Sequence, residues 1–238
     1  MEIKQEIDNF IKRVEKENPD LALMLKSVYL YNNQFSLRLN IEKNLLKVIK
    51  AMAEVDRIFF VPDILKDRAY EDIALAIPEN QTISQPSTVS RMILMADIRP
   101  NQKILEVGSG SGYNAALLAY LSKSEIITIE KIKELVKFSK ANIKRLEKFK
   151  KLNLKIKVLK KDFFSCRLKQ KFDRIIFTAG LEKNEAKIRK KIEFLLNENG
   201  IAILPRVNGP MIIFKKIKNN LIKTETEDSY VFVPLTEK

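Results

Sequence analysis

The stretch "ILEVGSGSGYN", Ile104–Asn114, decides how this chain folds. A short, largely apolar run leads into three glycines, Gly108, Gly110 and Gly112, and an alanine-rich helical pattern starts at Tyr113. Strand, tight turn and helix follow in that order. Glycine adopts positive φ at little steric cost, so the backbone turns sharply and lets a ligand come close. In open α/β sheets, ligands bind in the crevice at the carboxyl ends of the strands. The spacing G-x-G-x-G argues against a dinucleotide, whose fingerprint needs glycine at position 113, where this chain has Tyr113.

Downstream, "EIITI" (125–129), "LKIKVL" (154–159), "DRIIFT" (173–178) and "GIAILP" (200–205) read as β-branched strands. Helical segments stand between the strands, from Tyr113, from Lys131 to about Phe149, and in "KIRKKIEFLL" (187–196). This alternation predicts an α/β fold with a doubly wound, mostly parallel, Rossmann-like sheet. After Pro205, "IIFKKI", the turn "KNN" and "YVFVPL" read as strands without intervening helices, so antiparallel C-terminal strands are expected at the sheet edge. Upstream, Ile3, Ile7, Phe10, Ile11 and Val14 recur at helical spacing until Pro19 breaks the pattern. "LALMLKSVYLY" and "IEKNLLKVIKAMAEV" predict a second and a third helix. Residues 1–50 thus read as an N-terminal helical extension packed on a domain covering 51–238.

The 238 residues, 45% hydrophobic, suffice for one full core. The N-terminus is polar and no apolar run reaches membrane-spanning length, so a cytoplasmic protein with no membrane partner is expected, as a monomer. The single cysteine, Cys166, excludes an internal disulfide and agrees with a reducing compartment. With no histidine, the commonest general base and metal ligand are both absent, and no metal site is expected. The net charge is +14, and Lys144–Lys171 holds 12 Lys/Arg against 2 Asp/Glu. Such a segment is either a solvated lysine face or a surface for an acidic partner.

Three acids fall at the ends of consecutive strands. Glu106 precedes the glycines, where its carboxylate would meet a cationic group; Glu130 would accept hydrogen bonds from two ribose hydroxyls; Asp162, in "VLKKDF", stands like a partner for an adenine amino group. Singly, each has a plainer reading. Glu130 would favour the N-terminus of the next helix, and Asp162 would close a turn. Together with Gly108, Gly110 and Gly112 they are similar to the adenosyl site of class I S-adenosyl-L-methionine-dependent methyltransferases, with S-adenosyl-L-homocysteine as product. A fourth element, "NQTISQPS" (Asn80–Ser87), reads as a helix start, with Ser84 or Gln85 at the N-cap and Pro86 in the first turn.

From about Leu45 onward the chain resembles the protein-L-isoaspartate (D-aspartate) O-methyltransferases. The likeness rests on "VDRIFFVP" (Val55–Pro62), "RAYED" (Arg68–Asp72), "QTISQP" (Gln81–Pro86), the glycine stretch, "IEKIKELV" (Ile129–Val136), "FDRIIFTA" and "VFVPLTEK". The resemblance implies methyl transfer to the free α-carboxylate of L-isoaspartyl residues in peptides and damaged proteins. The ester then closes to a succinimide that reopens partly to aspartate, a repair. It implies that Ser84 is the active-site serine, that Thr82 and Ile83 line the cofactor pocket, and that Thr236 contacts the cofactor region. Composition is compatible, because a carboxylate acceptor is already ionised at neutral pH and needs no general base.

The chain departs from the family in several places. "IPEN" stands where a glycine-containing loop normally precedes "QTIS", Lys161 and Phe163 flank Asp162 in place of glycines, and "TAGLEKNE" replaces an Ala-rich loop with proline. The first 40 residues exceed the usual family length. A nucleic-acid base methyltransferase is the alternative suggested by the basic segment, but "TAGLEK" is unlike the Asn/Asp-Pro-Pro-aromatic motif of such enzymes. A catalytically silent S-adenosylmethionine-binding module is the third reading.

Overall fold

The computed structural model describes residues 2–236 and opens with three helices, α1 (Glu2–Glu15), α2 (Pro19–Arg38) and α3 (Glu42–Glu54). A hairpin of β1 (Leu75–Ile77) and β2 (Gln81–Ile83) leads into α4 (Pro86–Ala96). Then come β3 (Ile104–Val107), α5 (Tyr113–Ser122), β4 (Ile126–Glu130), α6 (Lys133–Lys150) and β5 (Ile156–Lys160). The chain ends with β6 (Phe172–Phe177), α7 (Glu185–Leu195), β7 (Leu196–Leu204), β8 (Asn208–Ile217) and β9 (Asn220–Val231).

The main sheet runs β5-β4-β3-β6-β7-β8-β9, parallel from β5 to β7 and antiparallel from β7 to β9. This is the expected architecture. Chain order reverses at β3, with β4 on one side and β6 on the other, so the crevice of a topological switch point opens above the glycine loop. All four residues of β3 are buried, as a central strand covered on both faces requires.

One local expectation is corrected. The last strand was expected at "YVFVPL", but β9 starts at Asn220 and ends at Val231. Lys218 (φ 50°) and Asn219 (φ 62°) supply the two positive φ angles of a type I′ hairpin, so β9 pairs with β8 straight from the turn. The residues after Val231 instead leave the sheet: the Gly180 amide donates to the Val233 carbonyl and the Leu235 amide to the Gly180 carbonyl, both at 2.7 Å. The break expected at Pro19 is present: α1 ends at Glu15 and Pro19 opens α2, behind an Asn18 cap whose Oδ1 accepts the Leu21 amide at 3.0 Å.

Helix α2 is pinned to α4 by a buried cation. Arg91 donates from Nε to Asn32 Oδ1 (2.7 Å), from Nη2 to the Tyr31 carbonyl (3.1 Å) and from Nη1 to Asp228 Oδ2 (3.0 Å). Its guanidinium also lies over the rings of Phe35 (4.2 Å) and Tyr31 (4.9 Å). A buried charge persists only when so partnered, and here the partners tie together α2, α4 and β9. Among the described residues no helix is long and apolar enough to cross a membrane.

Candidate active site

The glycine loop begins where β3 ends. A Cβ on Gly108, whose φ is +97°, would stand 2.4 Å from Thr178 Oγ1, so both conformation and packing demand glycine there. The Thr178 hydroxyl lies 2.5 Å from the Gly108 carbonyl and 3.2 Å from that of Val107, fixing the loop to the end of β6. Gly110 lies on the cavity wall with Gly108, whereas Gly112 stands off it and serves as the N-cap of α5. Two amides of this helix start are already used, Gly112 donating to the Ser109 carbonyl and Tyr113 to Ser111 Oγ, and the positive end of the helix favours an electron-rich group.

Glu130 ends β4 and is only 7% exposed. Its Oε1 accepts the Ile132 amide at 3.0 Å and its Oε2 the Gly110 amide at 3.3 Å. The acid therefore supports the glycine loop while forming part of the cavity wall. Each carboxylate oxygen has a second lone pair, so the group retains capacity for two more donors. A vicinal diol is such a pair, and the cavity's residues fit a nucleoside-bearing cofactor on this ground.

Asp162 also lines the cavity, but its Oδ1 accepts the Phe164 (2.6 Å) and Ser165 (3.2 Å) amides, so it closes a turn as well. Glu106 differs from expectation. It lies off the cavity wall, fully buried, and meets no cation: its oxygens accept from Asn114 Nδ2 (2.8 Å) and Thr128 Oγ1 (2.5 Å). Burial pushes its pKa up to about 8, with Glu130 adding in the same direction against those two hydrogen bonds. Its reach to the cavity is indirect, through Asn114, which does line the wall.

Thr82, Ile83 and Ser84 bring the end of β2 to the same cavity, and Thr236 closes it from the C-terminal segment. The Lys131 ammonium donates to the Thr236 hydroxyl (2.5 Å) and carbonyl (3.1 Å). The helix expected from "TISQP" begins at Pro86 with Gln85 at the N-cap, yet neither Gln85 nor Ser84 caps it by side chain. Asp72 of "RAYED" does so instead: its carboxylate accepts the Ser87 amide and hydroxyl and Gln85 Nε2.

Two residues organise this region without having been singled out by sequence. One is Asp72. The other is Arg57, fully buried, whose Nη1 donates to the carbonyls of Ala69 (2.6 Å) and Glu71 (3.4 Å) and whose Nη2 donates to those of Ile73 (2.9 Å) and Ser84 (3.3 Å). Burial lowers its pKa to about 10. An arginine inside the apolar run "VDRIFFVP" was the available signal, since a buried charge must find partners. The hairpin β1–β2 was also unread. Its turn puts Glu79 (φ 63°) and Asn80 (φ 54°) in the left-handed region, where a glycine would be less strained.

A family model described as Protein-L-isoaspartate(D-aspartate) O-methyltransferase (PCMT) matches residues 36–238. The protein-L-isoaspartate O-methyltransferase of Pyrococcus horikoshii is 36% identical over 193 residues, 79% of this chain and 84% of that protein. That of Thermosipho melanesiensis is 36% identical over 202 residues, 83% of this chain and 96% of that protein. A candidate protein-L-isoaspartate O-methyltransferase from Plasmodium falciparum, crystallised with S-adenosyl-L-homocysteine, superposes with a TM-score of 0.69. It is 27% identical, covering 81% of this chain and 91% of that one. A glycine loop at the switch point and a match along most of the sequence agree: this chain belongs to the protein-L-isoaspartate(D-aspartate) O-methyltransferase family.

Proposed function

We propose that this protein transfers a methyl group from S-adenosyl-L-methionine to the α-carboxylate of L-isoaspartyl residues in damaged proteins, as a repair enzyme. The observation that carries the reading is the position of Ser84, where two cavities meet. Thr82, Ser84, Thr178 and Val233 line both. One cavity holds the glycine loop and the acids; the other, of about 350 Å³, lies against the end of β9. The first takes the cofactor and the second the acceptor.

The cofactor supplies an electrophilic methyl group on a sulfonium centre. Glu130 accepts the ribose hydroxyls, and Asp162 accepts the adenine amino group through the oxygen that does not close its turn. Gly108 and Gly110 let the backbone approach, Gly112 starts α5, and Glu106 orients Asn114. Thr82, Ile83 and Thr236 close the sides. The Ser84 hydroxyl would donate to the acceptor carboxylate and orient it, a positioning contribution. No proton has to be removed from an ionised acceptor, so a chain without histidine suffices.

The working unit is a monomer in this reading, and the single cysteine supports a cytoplasmic one. Residues 1–50 act as a helical extension of the methyltransferase domain at 51–238. The basic segment 144–171 favours a nucleic-acid acceptor, but only its residues 161–164 reach the cofactor cavity. Labelled S-adenosylmethionine incubated with a short isoaspartyl peptide beside its aspartyl twin tests the proposal. Label is expected in the isoaspartyl peptide alone; label in neither, with cofactor binding intact, overturns it.

A further inference from the structure

The acceptor cavity is not built only from the family's part of the chain. Tyr31 of α2 lines it together with Ser84, Ser229 and Tyr230, and lies before residue 36, where the family match begins. The position of Tyr31 is set from behind. The Arg91 guanidinium lies 4.9 Å from its ring centroid and bonds its carbonyl, while Asn32 next to it donates to the Ser87 carbonyl (3.4 Å) and Ser90 Oγ (3.3 Å) of α4. In front, Tyr31 remains 40% exposed, and Tyr230 lines the same cavity. Tyr230 in turn donates to Asp228 Oδ2 at 3.4 Å, the same oxygen that Arg91 holds.

The chemistry of this cavity is uniform. Among the described residues its walls carry hydroxyls, amides, rings and the aliphatic side chains of Ala74, Val231 and Val233, and no Lys, Arg, Asp or Glu. With Ser84 taken by the acceptor carboxylate, a charged neighbouring side chain would lose hydration without finding an ion-pair partner on these walls. A ring or a bulky apolar group would instead meet aromatic surface already held in place.

We propose that Tyr31 is a specificity-determining residue: brought by α2, its ring forms a wall of the acceptor cavity and favours isoaspartyl peptides whose neighbouring residue is aromatic or bulky and apolar over those with a charged neighbour. The inference rests on the reading that the cavity beside Ser84 receives the acceptor. The appended helices then have a role in the reaction, that of narrowing the range of damaged sites accepted.

Three isoaspartyl peptides that differ only in having Phe, Gly or Glu beside the isoaspartate, on either side in separate sets, test it with the full-length chain. For the wild type, kcat/KM for the best Phe peptide should exceed that for its Gly counterpart by about five- to tenfold, through KM, with the Glu peptide lowest. Tyr31→Phe should keep this order. Tyr31→Ala should bring the Phe and Gly peptides to within about twofold of each other, with S-adenosylhomocysteine affinity, read at the other cavity, as in the wild type. The ratio of two peptides on one preparation does not depend on the folded fraction. A Phe preference that survives Tyr31→Ala, or none in the wild type, overturns the role of Tyr31 alone. Methylation of no peptide by a wild type that binds cofactor overturns the acceptor reading, and this inference with it.

Discussion

Asp72 and Ser87 are bonded twice: the carboxylate accepts the Ser87 amide at 2.8 Å and its hydroxyl at 2.6 Å. Helix α4 has no side-chain cap of its own at Gln85, so its first turn is closed from the preceding loop. Asp72→Ala should lower stability by about 1–2 kcal/mol, the range for a lost N-cap. Because Ser84 stands just before this turn, methyl transfer should fall as well. Urea unfolding beside steady-state kinetics separates the two effects, and Asp72→Asn, which keeps one acceptor, should fall between wild type and Ala.

The Ser84 hydroxyl is assigned to the acceptor and caps nothing in the fold. Ser84→Ala should therefore change stability by less than about 0.5 kcal/mol, as surface-type substitutions do. Turnover should drop about tenfold or more, the scale of a lost orienting contact. Unchanged turnover would remove Ser84 from the reaction.

Glu130 offers hydrogen-bond capacity to the cofactor and also holds the Gly110 amide. Glu130→Ala should weaken S-adenosylhomocysteine binding about 100-fold, since hydrogen bonds to charged groups contribute about 1.5–3 kcal/mol each. Titration calorimetry reads this directly. Equal affinity in the variant would mean that the ribose lies elsewhere.

Glu106 carries the clearest pH signature. Its folded pKa of about 8 lies above the ordinary 4.5, so between those values the folded state holds a proton that the unfolded state has released. Stability from this group is thus greatest below about 4.5 and falls as pH rises towards 8. Glu106→Gln, which stays neutral, should lack that slope. Thermal midpoints across pH 5–8 should show the variant gaining on the wild type as pH rises; parallel profiles would mean that Glu106 titrates normally.

The sheet and the glycine loop were readable from sequence because both depend on local pattern: β-branched runs, helical periodicity and glycines whose φ no other residue adopts cheaply. Gly108, Glu130 and Asp162 fell where strand ends put them. What escaped were the side chains whose partners lie on other segments. Arg57 reaches four carbonyls across the loop around Ile73 and the start of α4, and nothing in "VDRIFFVP" states where those carbonyls will be. Glu106 shares β3 with cavity-lining Val107 but points to the other face, since successive strand side chains alternate. Strand β9 was read too late because "KTETEDS" lacks apolar character, which an edge strand can do without.

Gly180 accepts and donates for the same tail, and its own Cβ position is filled by the Arg206–Val207 backbone at 2.6 Å. The tail is therefore fastened at two unequal points: an inner clasp at Gly180 that no side chain can enter, and an outer one made by the exposed ammonium of Lys131 on Thr236. In hydrogen exchange, the Leu235 and Gly180 amides should slow together when S-adenosylhomocysteine is bound, whereas Lys131→Ala should quicken ligand departure and leave the Gly180 amide protected.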